Sequence, residues 1–141
     1  MERWVFFAII SMIFAGITSV LAKFGMKDLS SDTALALRTA VVFAIVTANA
    51  FIFRNAIQEL QHSPAKNMIF LALSGITTSL SWIFYYRAMK EGPVSYVASI
   101  DKASIVVTLL LSFLILREPI TAKVLLGGGC ILAGMIILIW K

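Results

Sequence analysis

Two opposite charges stand side by side in a stretch that is otherwise apolar or small. Asp101 and Lys102 lie within Val94–Leu116, which is 23 residues long and runs between Gly92-Pro93 and Arg117-Glu118-Pro119. Proline at a first helical position gives up only an N–H that has no intrahelical partner. A helix of this length crosses a hydrocarbon core of about 30 Å at about 1.5 Å per residue. Asp101 then falls roughly 12 Å into the helix, too deep for an ordinary headgroup contact. A charge at the bilayer centre costs about 2.5–3.5 kcal/mol on insertion scales, which the leucine-rich half Val106–Leu116 can offset. Asp101, Ser104, Thr108 and Ser112 share one helix face, while Lys102 is turned about 100° away. Two readings follow. Either Asp101 faces a cavity while Lys102 reaches a neighbouring helix, or the pair is buried, neutralises itself and fixes packing. An ionisable pair at this depth marks a functional site of transport rather than of covalent chemistry.

Other apolar runs carry polar residues at helical spacing. Arg38 sits about five residues into a second run, where it either snorkels toward headgroups or faces the bundle and pairs with a carboxylate. Ser74, Thr78, Ser81 and Tyr85 form one polar stripe, flanked by Trp82 and Tyr86, which also suit an interfacial aromatic belt. Ser11, Ala15, Ser19 and Lys23 share a face that allows close helix contact or lines a cavity; Lys23 is expected to snorkel. The expected solute path therefore comprises Ser11, Arg38, Thr78, Trp82, Tyr85, Tyr86, Asp101, Lys102, Ser104 and Thr108. Nothing points to an enzyme, a cofactor or a bound metal: there is no serine–histidine pair within plausible reach and no metal-ligand spacing. His62 stands alone in a polar loop, and the single Cys130 excludes an internal disulfide or a zinc cluster. Gly127–Gly129 lies mid-run with no strand before it, so it is not a phosphate loop.

The elements that hold these residues are membrane helices. Of 141 residues, 60% are hydrophobic and 13% charged, against about a quarter charged in soluble domains; a soluble core of this length cannot bury so much apolar surface. The expected fold is all-α and polytopic, one transmembrane domain over 1–141 with spans at about 4–22, 33–53, 67–89, 94–116 and 120–140. The first run is longer than the apolar region of a signal peptide, about 7–15 residues, so it reads as a retained span. Ser31 or Asp32 is expected to cap the second helix. Residues 54–66 read as an aqueous loop with room for a short surface helix. Lys90-Glu91-Gly92-Pro93 is a tight turn, which makes spans three and four antiparallel neighbours. Gly127 and Gly134 lie two turns apart on the last span and suit close packing against a second helix, within the chain or between chains.

Five spans put the two ends on opposite sides. Arg3, Arg54, Lys66, Arg117 and Lys123 fall on one face; Lys23, Lys27, Arg38, Arg87, Lys90 and Lys141 fall on the other; Lys102 completes the twelve. Orientation follows the Lys/Arg bias, and here almost none exists, so both orientations are expected. The net charge of +5 is spread singly over the ends of apolar runs and forms no nucleic-acid patch.

The chain resembles a single EamA-type unit of the drug/metabolite transporter superfamily. The resemblance covers the whole chain and is carried by Ser81-Trp82, Tyr86-Arg87-Ala88-Met89-Lys90-Glu91-Gly92-Pro93, Ile100-Asp101-Lys102, Arg117-Glu118-Pro119-Ile120-Thr121 and the glycine-rich last helix. Lys23-Phe24-Gly25 and Arg38-Thr39 also fit. It implies a ten-span plan of two inverted five-helix repeats, of which this sequence has one, so that two copies make the working unit. The last helix is similar to the dimerising helix of small multidrug resistance proteins. Those relatives use a membrane-embedded Glu in the first helix; Trp4–Ala22 has no acid, which argues against proton-coupled export of cationic drugs.

The sequence thus predicts a secondary transporter of small metabolites in a bacterial or archaeal cytoplasmic membrane. It would work by alternating access as an antiparallel homodimer paired through Gly127 and Gly134. The alternatives are a component of a lipid-carrier flippase and a membrane assembly subunit that transports nothing itself.

Overall fold

A computed structural model of the chain describes residues 2–53, 56–117, 119 and 121–140. Among them there are only helices and the turns between them. The chain divides into two compact units, Met1–Lys90 and Glu91–Lys141. Among the described residues, five stretches are long and apolar enough to cross a membrane: Arg3–Gly25, Ser31–Ile52, Ala65–Glu91, Val94–Leu116 and Ala122–Ile139. They match the five runs read from the sequence: Val94–Leu116 has the same bounds, and the other four differ by a few residues at their ends.

The first unit holds α1 (Arg3–Gly25), α2 (Ser31–Phe53), the short α3 (Ala56–His62) and α4 (Ala65–Glu91). α3 occupies the loop expected to have room for a surface helix. The cap of α2 differs from expectation: the Ser30 hydroxyl accepts from the Thr33 N–H at 3.1 Å, and the Ser30 carbonyl accepts from Ala34 N–H at 3.0 Å. Ser30 stands one position ahead of the helix, where a hydroxyl meets an orphan N–H. Asp32, expected as an alternative cap, lies in the first turn and pairs instead with Arg87 near the end of α4, at 3.3 Å.

Side-chain bonds fix how these helices run. Ser19 meets Tyr85 and Lys23 meets Met89, both 66 positions apart, so α1 and α4 are parallel and in register. Asp32 meets Arg87 while Arg38 meets Trp82, so α2 is antiparallel to α4. The well-buried residues are few. Met26 (1% exposed) and Met89 (0%) lie at the end of this unit where α1 and α4 finish, with Leu35 and Tyr86 also buried. Phe14, Phe43 and Leu71 lie largely exposed on the outside of the helices. In water this would be untenable; in lipid it is the expected state, because acyl chains are as apolar as those side chains.

The second unit holds α5 (Val94–Asp101), α6 (Ser104–Leu111), a π-helical turn (Ser112–Leu116) and α7 (Ala122–Ile139). Val94–Leu116, read from sequence as one helix, is interrupted at the charged pair. The Ala103 N–H bonds to the Ile100 carbonyl at 2.9 Å, Ile105 to Lys102 at 3.1 Å and Val106 to Ala103 at 2.9 Å. These three-residue bonds, with ψ of −14° at Lys102 and −16° at Ala103, are a single 3₁₀ turn between two α-helices. The π turn ends at Arg117, whose φ of 54° is left-handed; this is the stop expected ahead of Pro119. At the next helix, Thr121 caps α7 by accepting from the Val124 N–H at 3.4 Å. α7 packs against α5 and α6, and it meets α6 at Gly128, where an added Cβ would stand 2.9 Å from a Leu109 methyl.

Candidate functional site

The polar faces of α1, α2 and α4 converge inside the first unit. Arg38 lies seven residues beyond Ser31, about 10 Å along α2. Its guanidinium rests over the Trp82 ring, 4.4 Å from the centroid, and 5.8 Å from the Tyr86 centroid. Both distances are within the range in which an aromatic face attracts a cation, an effect of about 0.5–2 kcal/mol that grows as water is removed. Of the two readings of Arg38, neither occurs as stated. It turns into the bundle, but its partners are aromatic rings, and it makes no ion pair among the described residues. Tyr86 is buried, so for this ring the interfacial-belt reading is corrected; Trp82 is half-buried beneath the guanidinium.

A cavity of about 340 Å³ opens beside this cluster, bordered by Arg38 and Tyr86 and by Thr18, Leu21, Ala22, Leu37 and Val41 among others. Among the described residues, Arg38 carries the only charge in its lining. On the far side Trp82 borders a second cavity, of about 420 Å³, with Thr39, Ser79 and the Asp32–Arg87 pair. Trp82 and Arg38 thus form a partition between the two spaces. The volumes fall at the lower end of small-molecule sites, about 300–1,000 Å³.

Around the partition, the expected stripes are distributed unevenly. Tyr85 and Ser19 are hydrogen-bonded at 2.9 Å, which joins the α1 and α4 stripes. Thr78 returns its hydroxyl to the Ser74 carbonyl at 2.8 Å, as hydroxyls on membrane helices commonly do, and Ser11 lies exposed on α1. Neither takes part in the Arg38 cluster. In the second unit, Lys102 Nζ lies 3.2 Å from Asp101 Oδ2. Lys102 therefore folds back on its neighbour, but with the side chains 65% and 36% exposed the pair is not the buried one that the self-neutralising reading expects. Ser104 and Thr108 are exposed on α6, with the Thr108 hydroxyl donating to the Ser104 carbonyl at 3.0 Å. Gly127 and Gly134 have open space where a Cβ would stand.

Two lysines have a structural role that the sequence reading missed. Lys90, in the last turn of α4, donates to the carbonyls of Met26 (2.6 Å), Lys27 (3.3 Å) and Leu29 (2.9 Å) beyond the end of α1. Lys23, in the last turn of α1, donates to the Met89 carbonyl at the end of α4. Each parallel helix thus supplies a cation to the other's C-terminal carbonyls, where helix dipoles favour positive charge. The signal was present, since both lysines sit in a last turn.

Comparison with known proteins places this architecture. The chain is 36% identical, over 137 residues, to a Sinorhizobium protein described as an uncharacterized transporter in the cobO 3′ region; the match covers 97% of this chain and 96% of that one. No solved structure matches. The family model for the EamA-like transporter family matches residues 2–140, and with five apolar helices behind that match, the chain belongs to the EamA-like transporter family, as a multi-pass membrane protein.

Proposed function

We propose that the chain is one five-span unit of a secondary transporter of small metabolites in a cytoplasmic membrane, and that two inverted copies work by alternating access. The observation that carries this reading is Arg38: a guanidinium about 10 Å into a membrane span, held on Trp82 and Tyr86 between two cavities. A charge is expensive at that depth, and such residues face solute paths. Three further features support the reading. The fourth span breaks at Asp101-Lys102, and interrupted helices are where transporters bend and bind. Gly127 and Gly134 leave an open face on α7 against which a second copy's α7 can lie closely. The Lys/Arg count of five against six selects neither orientation.

The test uses purified protein in liposomes loaded with a small-molecule extract of cells, and exit is followed by mass spectrometry. At least one solute should leave faster than from protein-free liposomes, and Arg38→Gln should abolish the difference. Identical exit with and without protein overturns the reading.

A further inference from the structure

The transporter reading leaves the class of solute open, and the cavity beside Arg38 narrows it. We propose that this cavity binds a soluble, singly charged organic carboxylate with an apolar body, its carboxylate on the Arg38 guanidinium and its body against Leu21, Leu37 and Val41. The assignment rests on the transporter reading for its physiological meaning, but its geometry stands apart from it.

Four observations carry it. The Arg38 guanidinium makes no hydrogen bond or ion pair among the described residues; its described contacts are the two ring faces. Attraction to a ring face uses none of the guanidinium's five N–H donors as a conventional hydrogen bond, which leaves a fork for an acceptor. That fork matches a carboxylate with two parallel bonds, the geometry for which arginine is preferred over lysine. The cavity bordered by Arg38 has no Asp or Glu in its lining among the described residues, so a cationic solute would meet repulsion without compensation. The rest of the lining is chiefly Leu, Ala and Val, with Thr18 and the Tyr86 ring, which suits an apolar or aromatic body and not a sugar. Finally, the site offers one positive charge. It balances a monoanion, whereas a doubly charged phosphate ester would stay half-compensated in a medium of low dielectric.

An anionic phospholipid is also a monovalent oxyanion on an apolar body. The Arg38 guanidinium is turned onto the Trp82 and Tyr86 rings within the first unit, and this favours the soluble source.

The experiment measures binding by calorimetry on full-length protein in neutral, lipid-free detergent micelles, with 3-phenylpropionate as the probe. The amide of the same acid and 3-phenylpropylammonium serve as comparisons. The acid should bind at least tenfold more tightly than the amide, and the ammonium should not bind measurably. Arg38→Gln should weaken the acid at least tenfold, and Arg38→Lys, which keeps the charge without the fork, should weaken it less. The comparison of acid with amide on the unaltered protein decides the matter even if an Arg38 variant fails to fold. Equal binding of acid and amide, or tighter binding of the ammonium, overturns the proposal. So does a response confined to nanodiscs containing phosphatidylglycerol, with none to the soluble acid, because that outcome assigns the cavity to lipid. Binding of the acid without any solute leaving liposomes would defeat the transport reading and leave this site standing. Transport of a solute together with equal binding of acid and amide would do the reverse.

Discussion

Lys90→Gln should loosen the end of the first unit where α1 and α4 finish, and the structure sets the size of the effect. The Lys90 ammonium donates to three carbonyls that lie beyond the last turn of α1, at 2.6, 2.9 and 3.3 Å. Hydrogen bonds from a charged group contribute about 1.5–3 kcal/mol each where they are buried. Lys90 is exposed and the longest of its bonds is weak, so the set should contribute about 2 kcal/mol rather than the sum. For a chain of this size each kcal/mol moves the melting midpoint by about 4 °C, giving a fall of about 8 °C. Thermal melting in detergent, followed by size-exclusion chromatography, measures it. Lys27→Gln is the matched control: it removes the same charge at the same end of the unit, from the α1–α2 turn, and its ammonium has no partner among the described residues. If Lys90→Gln and Lys27→Gln melt together, the lysine contributes only net charge, and the reciprocal capping of α1 and α4 is wrong. Hydrogen exchange should localise the change, with faster exchange at residues 26–30 in Lys90→Gln only.

Three further outcomes follow from named contacts. Lys102→Met should lower the yield of monodisperse protein more than Asp101→Ala combined with Lys102→Met, because the single change leaves a carboxylate without its 3.2 Å partner; additive effects across the cycle would refute the coupling. Gly128→Leu should destabilise the second unit by about 1–3 kcal/mol through overpacking against Leu109. Gly127→Leu and Gly134→Leu meet open space and should leave the melting midpoint unchanged while reducing the cross-linked dimer fraction. An unchanged dimer fraction in both refutes the pairing role of α7. Ser19→Ala and Tyr85→Phe remove the same 2.9 Å bond, so their combination should cost no more than either alone, about 0.6 kcal/mol by the average for hydrogen bonds between membrane helices; a doubled loss in melting experiments would show that the bond is not shared.

The five spans were legible because hydropathy over about 20 residues is a signal that lipid imposes directly. Every backbone polar group within the hydrocarbon must be satisfied, and a helix does that from local sequence alone. The break at Asp101-Lys102 was not legible as a break. No glycine or proline lies at 98–106, and composition alone shows no reason for the 3₁₀ turn; the charged pair marked the place but not the backbone's response. Arg38 was singled out from its depth. Its aromatic partners lay in another span, and only the antiparallel register of α2 on α4 brings position 38 to 82 and 86. The same limit explains Gly128. Three consecutive glycines look equivalent in sequence, yet the helical turn aims only the middle one at Leu109. Ser30 was overlooked as a cap because Ser31 and Asp32 are equally good candidates by type.

The central claim, an inverted pair of identical units, is tested most directly by the sidedness of the α1–α2 loop. Cys130→Ser removes the chain's one cysteine, and Asp28→Cys then places a single thiol in the exposed turn between the helices. Intact cells expressing this variant are labelled with a membrane-impermeant maleimide before and after permeabilisation. About half of the thiols should react from outside and the rest only once the membrane is opened, as a near-absent Lys/Arg bias requires. Labelling confined to one side would contradict it.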